Sequence, residues 1–213
     1  MIYFKKTLLT CLILAIPLLN YANSNEILEK QRTLFQQAQS ALNKHDYNQY
    51  KQLKQQLGNY PLQDYLEYRY LRLNLAQLTP ATLTQFLQKN NDDVFYAAHL
   101  RNFWLDNLAK NQQWQQYLNQ YQEPQIPARQ CTRLKALIIT GQHQQALSEI
   151  PKLWLVGRSQ HQNCDYAFQY WEKQGKLTDK LRWQRLELAL QNQQFSLANY
   201  LAKSVAESSK AKH

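Results

Sequence analysis

The chain has 213 residues and a formal charge of +10, with 44% hydrophobic and 12% aromatic residues but only 4 Gly and 6 Pro. Four glycines cannot supply the turns that a β-sandwich or barrel needs every ~8–12 positions, nor a glycine-rich phosphate loop. Collagen, low-complexity linkers and most nucleotide-binding folds are excluded. Regular apolar recurrence also excludes disorder despite a mean hydropathy of −0.65, so a helical domain, or a piece of one, is expected.

The N-terminus has three parts. Met1–Lys6 is positive, Thr7–Leu19 is apolar apart from threonines and Cys11, and Asn20–Asn25 is polar with small residues at Ala22 and Ser24. This is the layout of a secretory signal peptide, and its apolar run of about 13 residues is short for a membrane span. Residues 1–24 are therefore read as a cleavable leader, 25–207 as the folded domain and 208–213 as a frayed polar tail. Cleavage removes Cys11 and leaves Cys131 and Cys164. An even count in an oxidising compartment predicts a disulfide between them.

Helices follow in order. Glu26–Lys44 carries Leu34, Phe35, Ala38, Ala41 and Leu42 on one face. Tyr47–Leu57 is closed by Gly58, and Leu62–Leu75 follows Pro61. Thr79-Pro80 reads as an N-cap with proline at the first helical position, opening a helix to Asn90. Asp93–Ala109 and Gln113–Tyr121 precede the proline-containing loop Glu123–Pro127. Cys131–Thr140 and His143–Leu155 form a hairpin around Gly141. Asp165–Gln174, Leu177–Leu190 and Phe195–Ala206 complete the series, with Gly157 and Gly175 expected as helix ends. Antiparallel pairs with short connections define an all-α fold, an α-superhelix or solenoid. Gly141 with Ala146 fits the tetratricopeptide pattern, but the full consensus is missing.

Chemistry is sparse. Glu67 lies between Tyr65 and Tyr68, and Glu172 follows Trp171, but adjacent helical residues point about 100° apart, so these aromatics do not share a face with the acid. No serine occupies a nucleophile elbow, the histidines are scattered, and the two cysteines lack metal-ligand spacing, so neither cofactor nor metal is expected. Two aromatic groups, Tyr60/Tyr65/Tyr68/Tyr70 and Trp104/Trp114/Tyr117/Tyr121, suit packing between helices or stacking on sugars. Arg69, Arg72 and Arg101 near them, and the basic run holding Lys180, Arg182 and Arg185, are the candidate contacts to carboxylates of a glycan or peptide.

Two segments are more specific: Tyr60-Pro61-Leu62 continuing through Tyr65-Leu66-Glu67-Tyr68-Arg69, and Leu153-Trp154-Leu155-Val156-Gly157-Arg158-Ser159 followed by Asn163-Cys164-Asp165. Both resemble the N-terminal superhelical region of the periplasmic soluble lytic murein transglycosylases, from about Asn25 to Ala206. The resemblance implies a helical ring-like region that in the family accompanies a separate lysozyme-like domain, which cleaves the MurNAc–GlcNAc bond with one glutamate in a Glu-Ser pair. Here Glu207-Ser208 is the only such pair, and the motifs that follow it in the family have no counterpart. No catalytic residue is assigned, and the chain is expected to be inactive alone. Peptidoglycan or a lysozyme-like catalytic partner is the expected ligand. Neither nucleic acid nor membrane insertion after leader removal is expected. The alternative is a tetratricopeptide-like adaptor for periplasmic proteins.

Overall fold

A computed structural model describes the backbone of residues 12–90 and 95–210, and side chains within 25–90 and 95–206. The described residues are helical, without strands. The helices are α1 (Leu12–Asn43), α2 (Tyr47–Gln56), α3 (Gln63–Leu73), α4 (Pro80–Lys89), α5 (Phe95–Lys110), α6 (Trp114–Gln120), α7 (Pro127–Ile139), α8 (His143–Trp154), α9 (Asp165–Lys173), α10 (Asp179–Gln191) and α11 (Phe195–Lys210). The expected leader lies mostly outside the described residues: 1–11 altogether, 12–24 in their side chains. The expected start at Asp93 is also outside them. No helix among the described residues is long and apolar enough to cross a membrane.

From α2 onward the expected boundaries hold within a few residues, with two informative differences, whereas α1 starts at Leu12, well before the expected Glu26. The helix expected from Cys131 begins at Pro127, because proline at the first helical position needs no N–H partner and has its φ preset. Helix α11 continues to Lys210, beyond the Ala206 boundary. Thr79 caps α4 as expected, its hydroxyl accepting from the Thr82 N–H at 3.3 Å. Thr178 does the same for α10, accepting from Leu181.

The chain divides into two compact units, residues 1–101 and 102–213. In the first, α2 and α3 pack on α1 around Phe35, Ala38, Leu42, Tyr50, Leu57 and Leu66. In the second, α7 packs against α6, α8 and α9, and α10 pairs with α11. Its core joins Leu134, Ile150, Trp154, Trp171, Leu186 and Leu201.

One hairpin geometry recurs within these units. His45, Gln112, Gly141, Gly175 and Gln193 all have positive φ, from 55° to 83°. Each donates its N–H to the carbonyl three residues back, and the next residue donates to the carbonyl five residues before itself; Gln193 to Leu190 (2.9 Å) and Gln194 to Ala189 (2.8 Å) are one instance. This is the Schellman closure, which satisfies two orphan carbonyls of a helix end. In four of the five, a new helix opens two residues later, at Tyr47, Trp114, His143 and Phe195. Five residues past the turn stands a buried side chain: Tyr50, Tyr117, Ala146 or Ala198. Seven residues before it, Ala38, Leu105, Leu134 and Leu186 are buried too. The repeat is structural, with glycine at the turn in only one of these four hairpins.

Candidate functional site

The segment Leu153–Ser159 is built as a clamp. Helix α8 ends at Trp154, so Gly157 is not a helix terminator as expected. It lies against α10 instead: a Cβ added there would stand 2.3 Å from the Leu188 carbonyl oxygen and 2.1 Å from Asn192 Nδ2. Only glycine permits this approach of loop to helix. Gln160 donates from Nε2 to the Leu153 carbonyl at 2.8 Å, folding the loop back on α8. A short 3-10 turn, Gln162–Cys164, then leads into α9.

A disulfide between Cys131 and Cys164, both fully buried, ties this turn to α7, with the Cα atoms 4.7 Å apart. Asn163 adds a hydrogen bond from Nδ2 to Thr132 Oγ1 at 3.1 Å. Loop, turn and three helices are thus fixed together.

Above this clamp is a groove of about 550 Å³, bordered by Trp154, Gln160, Phe168, Glu172, Arg185 and Tyr200, among others. Arg185 forms its cationic wall. Its guanidinium lies 4.6 Å from the Trp154 ring centroid and 5.9 Å from that of Phe168, and it donates to the Arg158 carbonyl across 3.4 Å. The side chain is buried, and burial pushes its pKa below the ordinary arginine value.

The candidate basic residues separate by environment. Arg69, half-buried on α3, donates to Asn43 Oδ1 at 2.7 Å, and Arg72 on the same helix is exposed. Arg101 is buried, 9% exposed, so its side chain is not presented on the surface. Lys180 is exposed. Arg182 is engaged by Glu172 at 2.5 Å and by the Leu177 carbonyl at 2.9 Å, and Asp179 lies 3.6 Å from it. The run that reads as one basic face in the sequence is therefore one free-standing lysine and two inward arginines, because α10 turns Arg182 and Arg185 toward α9 and the α8–α9 loop. Of the six, the structure brings Arg182 and Arg185 to the groove region through Glu172 and Trp154. Arg69 and Arg72 belong to the first unit.

The aromatics are mainly packing. Tyr50 stacks on Tyr70 at 5.1 Å, Tyr47 meets Tyr70 edge-on at 5.5 Å, and Phe35 contacts Tyr60 at 5.4 Å. Trp104 and Tyr117 are buried. The acids are structural partners: Glu67 holds Lys54 at 2.9 Å, Glu172 holds Arg182, Asp106 binds Arg129 through two hydrogen bonds of 2.9 and 2.8 Å, and Glu149 binds Arg133. No cluster of metal-ligating side chains occurs among the described residues. Sequence reasoning missed Trp154 and Phe168 as site residues. A tryptophan closing α8 and a phenylalanine on α9 reveal their convergence only when the loop between them is folded.

Paired helices joined by short turns, in two units, define an all-α protein of the α-solenoid class. No protein-family model matches the chain. It is 30% identical over 176 residues to the soluble lytic murein transglycosylase of Escherichia coli strain K12, a match covering 82% of this chain and 27% of that protein. The corresponding protein of Salmonella typhimurium matches over the same shares at the same identity. Among solved structures, the 70 kDa soluble lytic transglycosylase of E. coli superposes with a TM-score of 0.74 at 29% identity, covering 84% of this chain and 29% of that one. The lytic transglycosylase Slt of Pseudomonas aeruginosa, as an inactive mutant, gives 0.70 at 32% identity over 81% and 28%. A 70 kDa soluble lytic transglycosylase in complex with bulgecin A superposes with a TM-score of 0.73 at 29% identity, covering 83% of this chain and 28% of that one. The chain is thus similar to soluble lytic murein transglycosylases over most of its own length, and it spans about a quarter of the length of the curated relatives it matches.

Proposed function

We propose that this chain is an exported helical module that binds peptidoglycan, alone or beside a lysozyme-like catalytic partner, and does not itself cleave glycan. The similarity over 82% of the chain to murein-acting enzymes carries the reading. The leader-like N-terminus and the disulfide support export, and the formal charge of +10, of which Lys5 and Lys6 of the leader carry two, leaves a basic module attracted to an anionic polymer. The ion pairing of Glu67 and Glu172 supports the absence of cleavage. Glu67 is held by Lys54 and Glu172 by Arg182, so both carboxylates serve as partners within the fold.

A second reading has its own observation. Trp183 and Tyr200 on α10 and α11 are 52% and 69% exposed, which favours a protein-binding adaptor. Co-sedimentation with purified sacculi separates the two. The first reading expects pelleting at low ionic strength that is lost as salt screens exposed charges beyond ~8 Å. Absence from the low-salt pellet overturns it.

A further inference from the structure

Arg185 is an anomaly that the fold alone does not resolve. It is 6% exposed, yet no carboxylate among the described residues lies within ion-pair distance of it. Its contacts are the Trp154 and Phe168 rings and one long hydrogen bond to the Arg158 carbonyl. Its Nε–H has no hydrogen-bond partner. A buried charge is costly unless paired, and a guanidinium has five N–H donors arranged as a fork for planar anions. Stacking on the indole offsets part of that cost and orients the fork. The same side chain borders the open groove, together with Gln160, Ser159 and Ser204.

We propose that the groove is a carboxylate-binding site in which Arg185 is the anchor and the Trp154 and Phe168 rings contact the adjoining apolar part of the ligand. Two acids also border the groove, Asp165 and Glu172. Glu172 is held by Arg182, and Asp165 occupies the first turn of α9, where the helix dipole favours a negative charge. Neither lies within ion-pair distance of Arg185, and no other acid among the described residues occupies the fork, which suits an external acid. The ligand class is a small carboxylate carrying an apolar segment, such as a peptide C-terminus or the lactyl acid of an amino sugar. The inference deepens the murein-binding reading and rests on it for the choice of probes.

Calorimetric titration of the mature chain with N-acetyl-D-alanyl-D-alanine, its C-terminal amide, N-acetylmuramic acid and N-acetylglucosamine tests it. Saturable binding of either acid is expected, and the tighter acid identifies the source. The amide and N-acetylglucosamine should bind about tenfold or more weakly, the loss of a charge-assisted pair. Arg185→Gln should lose acid binding to the same extent, and Arg185→Lys should restore it only in part, since an ammonium cannot form the fork. Equal binding of acid and amide by the wild-type chain overturns the proposal without any variant, as does absence of saturable binding by either acid, or a folded Arg185→Gln that binds the acid unchanged. Co-sedimentation with sacculi is measured in parallel. If the sacculi still pellet the chain while both acids fail, only this site is refuted. If the acids bind and the sacculi do not retain the chain, the site stands and the murein reading falls.

Discussion

Replacing Gly157 by alanine tests the clamp that shapes the groove. The new Cβ would stand 2.3 Å from the Leu188 carbonyl oxygen, 2.7 Å from its carbon and 2.1 Å from Asn192 Nδ2. The Asn192 side chain can swing away, but the carbonyl cannot. It already accepts the Asn192 N–H within α10 at 3.0 Å, and the core beneath Leu186 and Ala189 holds that helix in place. Relief requires roughly 1 Å of separation between loop and helix in a close-packed interior, an overpacking cost of ~1–3 kcal/mol. For a unit of this size, the melting temperature should fall by roughly 4–8 °C per kcal/mol. Gly141→Ala is the internal control. Gly141 has φ +83° and nothing within 4 Å of an added Cβ, so its cost is conformational, about 1–2 kcal/mol, and Gly141→Asn should recover much of it because asparagine tolerates the left-handed region. Gly157→Asn should recover nothing. Thermal and urea unfolding of the four variants measures both effects. A Gly157→Ala protein with the wild-type midpoint would refute the close-approach reasoning.

The same hairpins predict a gain: Gln193→Gly, which relieves a non-glycine residue at φ 56°, should raise the urea midpoint by an amount equivalent to a few tenths to ~1 kcal/mol, and a lowered midpoint counts against the Schellman assignment. Removing the disulfide by Cys131→Ala with Cys164→Ala reopens a loop of sequence separation 33, and unfolding under non-reducing conditions should show a loss of ~2–5 kcal/mol. Burial pushes the Glu149 carboxyl up, but hydrogen bonds from Arg133 and Gln145 outweigh it and leave the group below its ordinary value. Its stabilising contribution is present above the unfolded value of about 4.3 and is lost as pH falls through the lower folded value, so Glu149→Gln should flatten the acid side of the stability profile; an unchanged profile contradicts this. Tyr50 has a buried hydroxyl without a hydrogen-bond partner, and Tyr50→Phe should be neutral or stabilising by up to ~1 kcal/mol in urea unfolding, whereas a clear loss would mean that the hydroxyl is satisfied.

Much of the fold is legible in the sequence because its signals are local. Apolar spacing in Leu34–Leu42, the Thr79-Pro80 start and Gly141 each act within a turn or two of the residue that carries them. The hairpin repeat is harder to read. Its left-handed position is Gly once but His45, Gln112 and Gln193 elsewhere, and the fold tolerates these residues because two hydrogen bonds overdetermine the turn. Gly157 misleads for a related reason: its freedom serves contact with Leu188 and Asn192, more than thirty residues further along the chain, and nothing nearby in sequence signals that. The groove is least legible. Arg182 and Arg185 look alike in a basic run, and only the packing of α10 on α9 and the preceding loop gives one a carboxylate and the other two aromatic rings. The resemblance carried by Leu153–Ser159 proved the most informative feature, since that segment makes the clamp itself.

We propose that the acids of this chain are structural partners, as Glu67 and Glu172 are in their ion pairs, and that the module binds murein without cutting it. Mass spectrometry of the soluble fraction after incubating sacculi with the purified mature chain tests that claim directly. The expected result is no 1,6-anhydromuropeptide above a no-protein control. Release of anhydromuropeptides that disappears in Glu67→Gln or Glu172→Gln would contradict it, by showing that an ion-paired carboxylate in this chain acts as a proton donor.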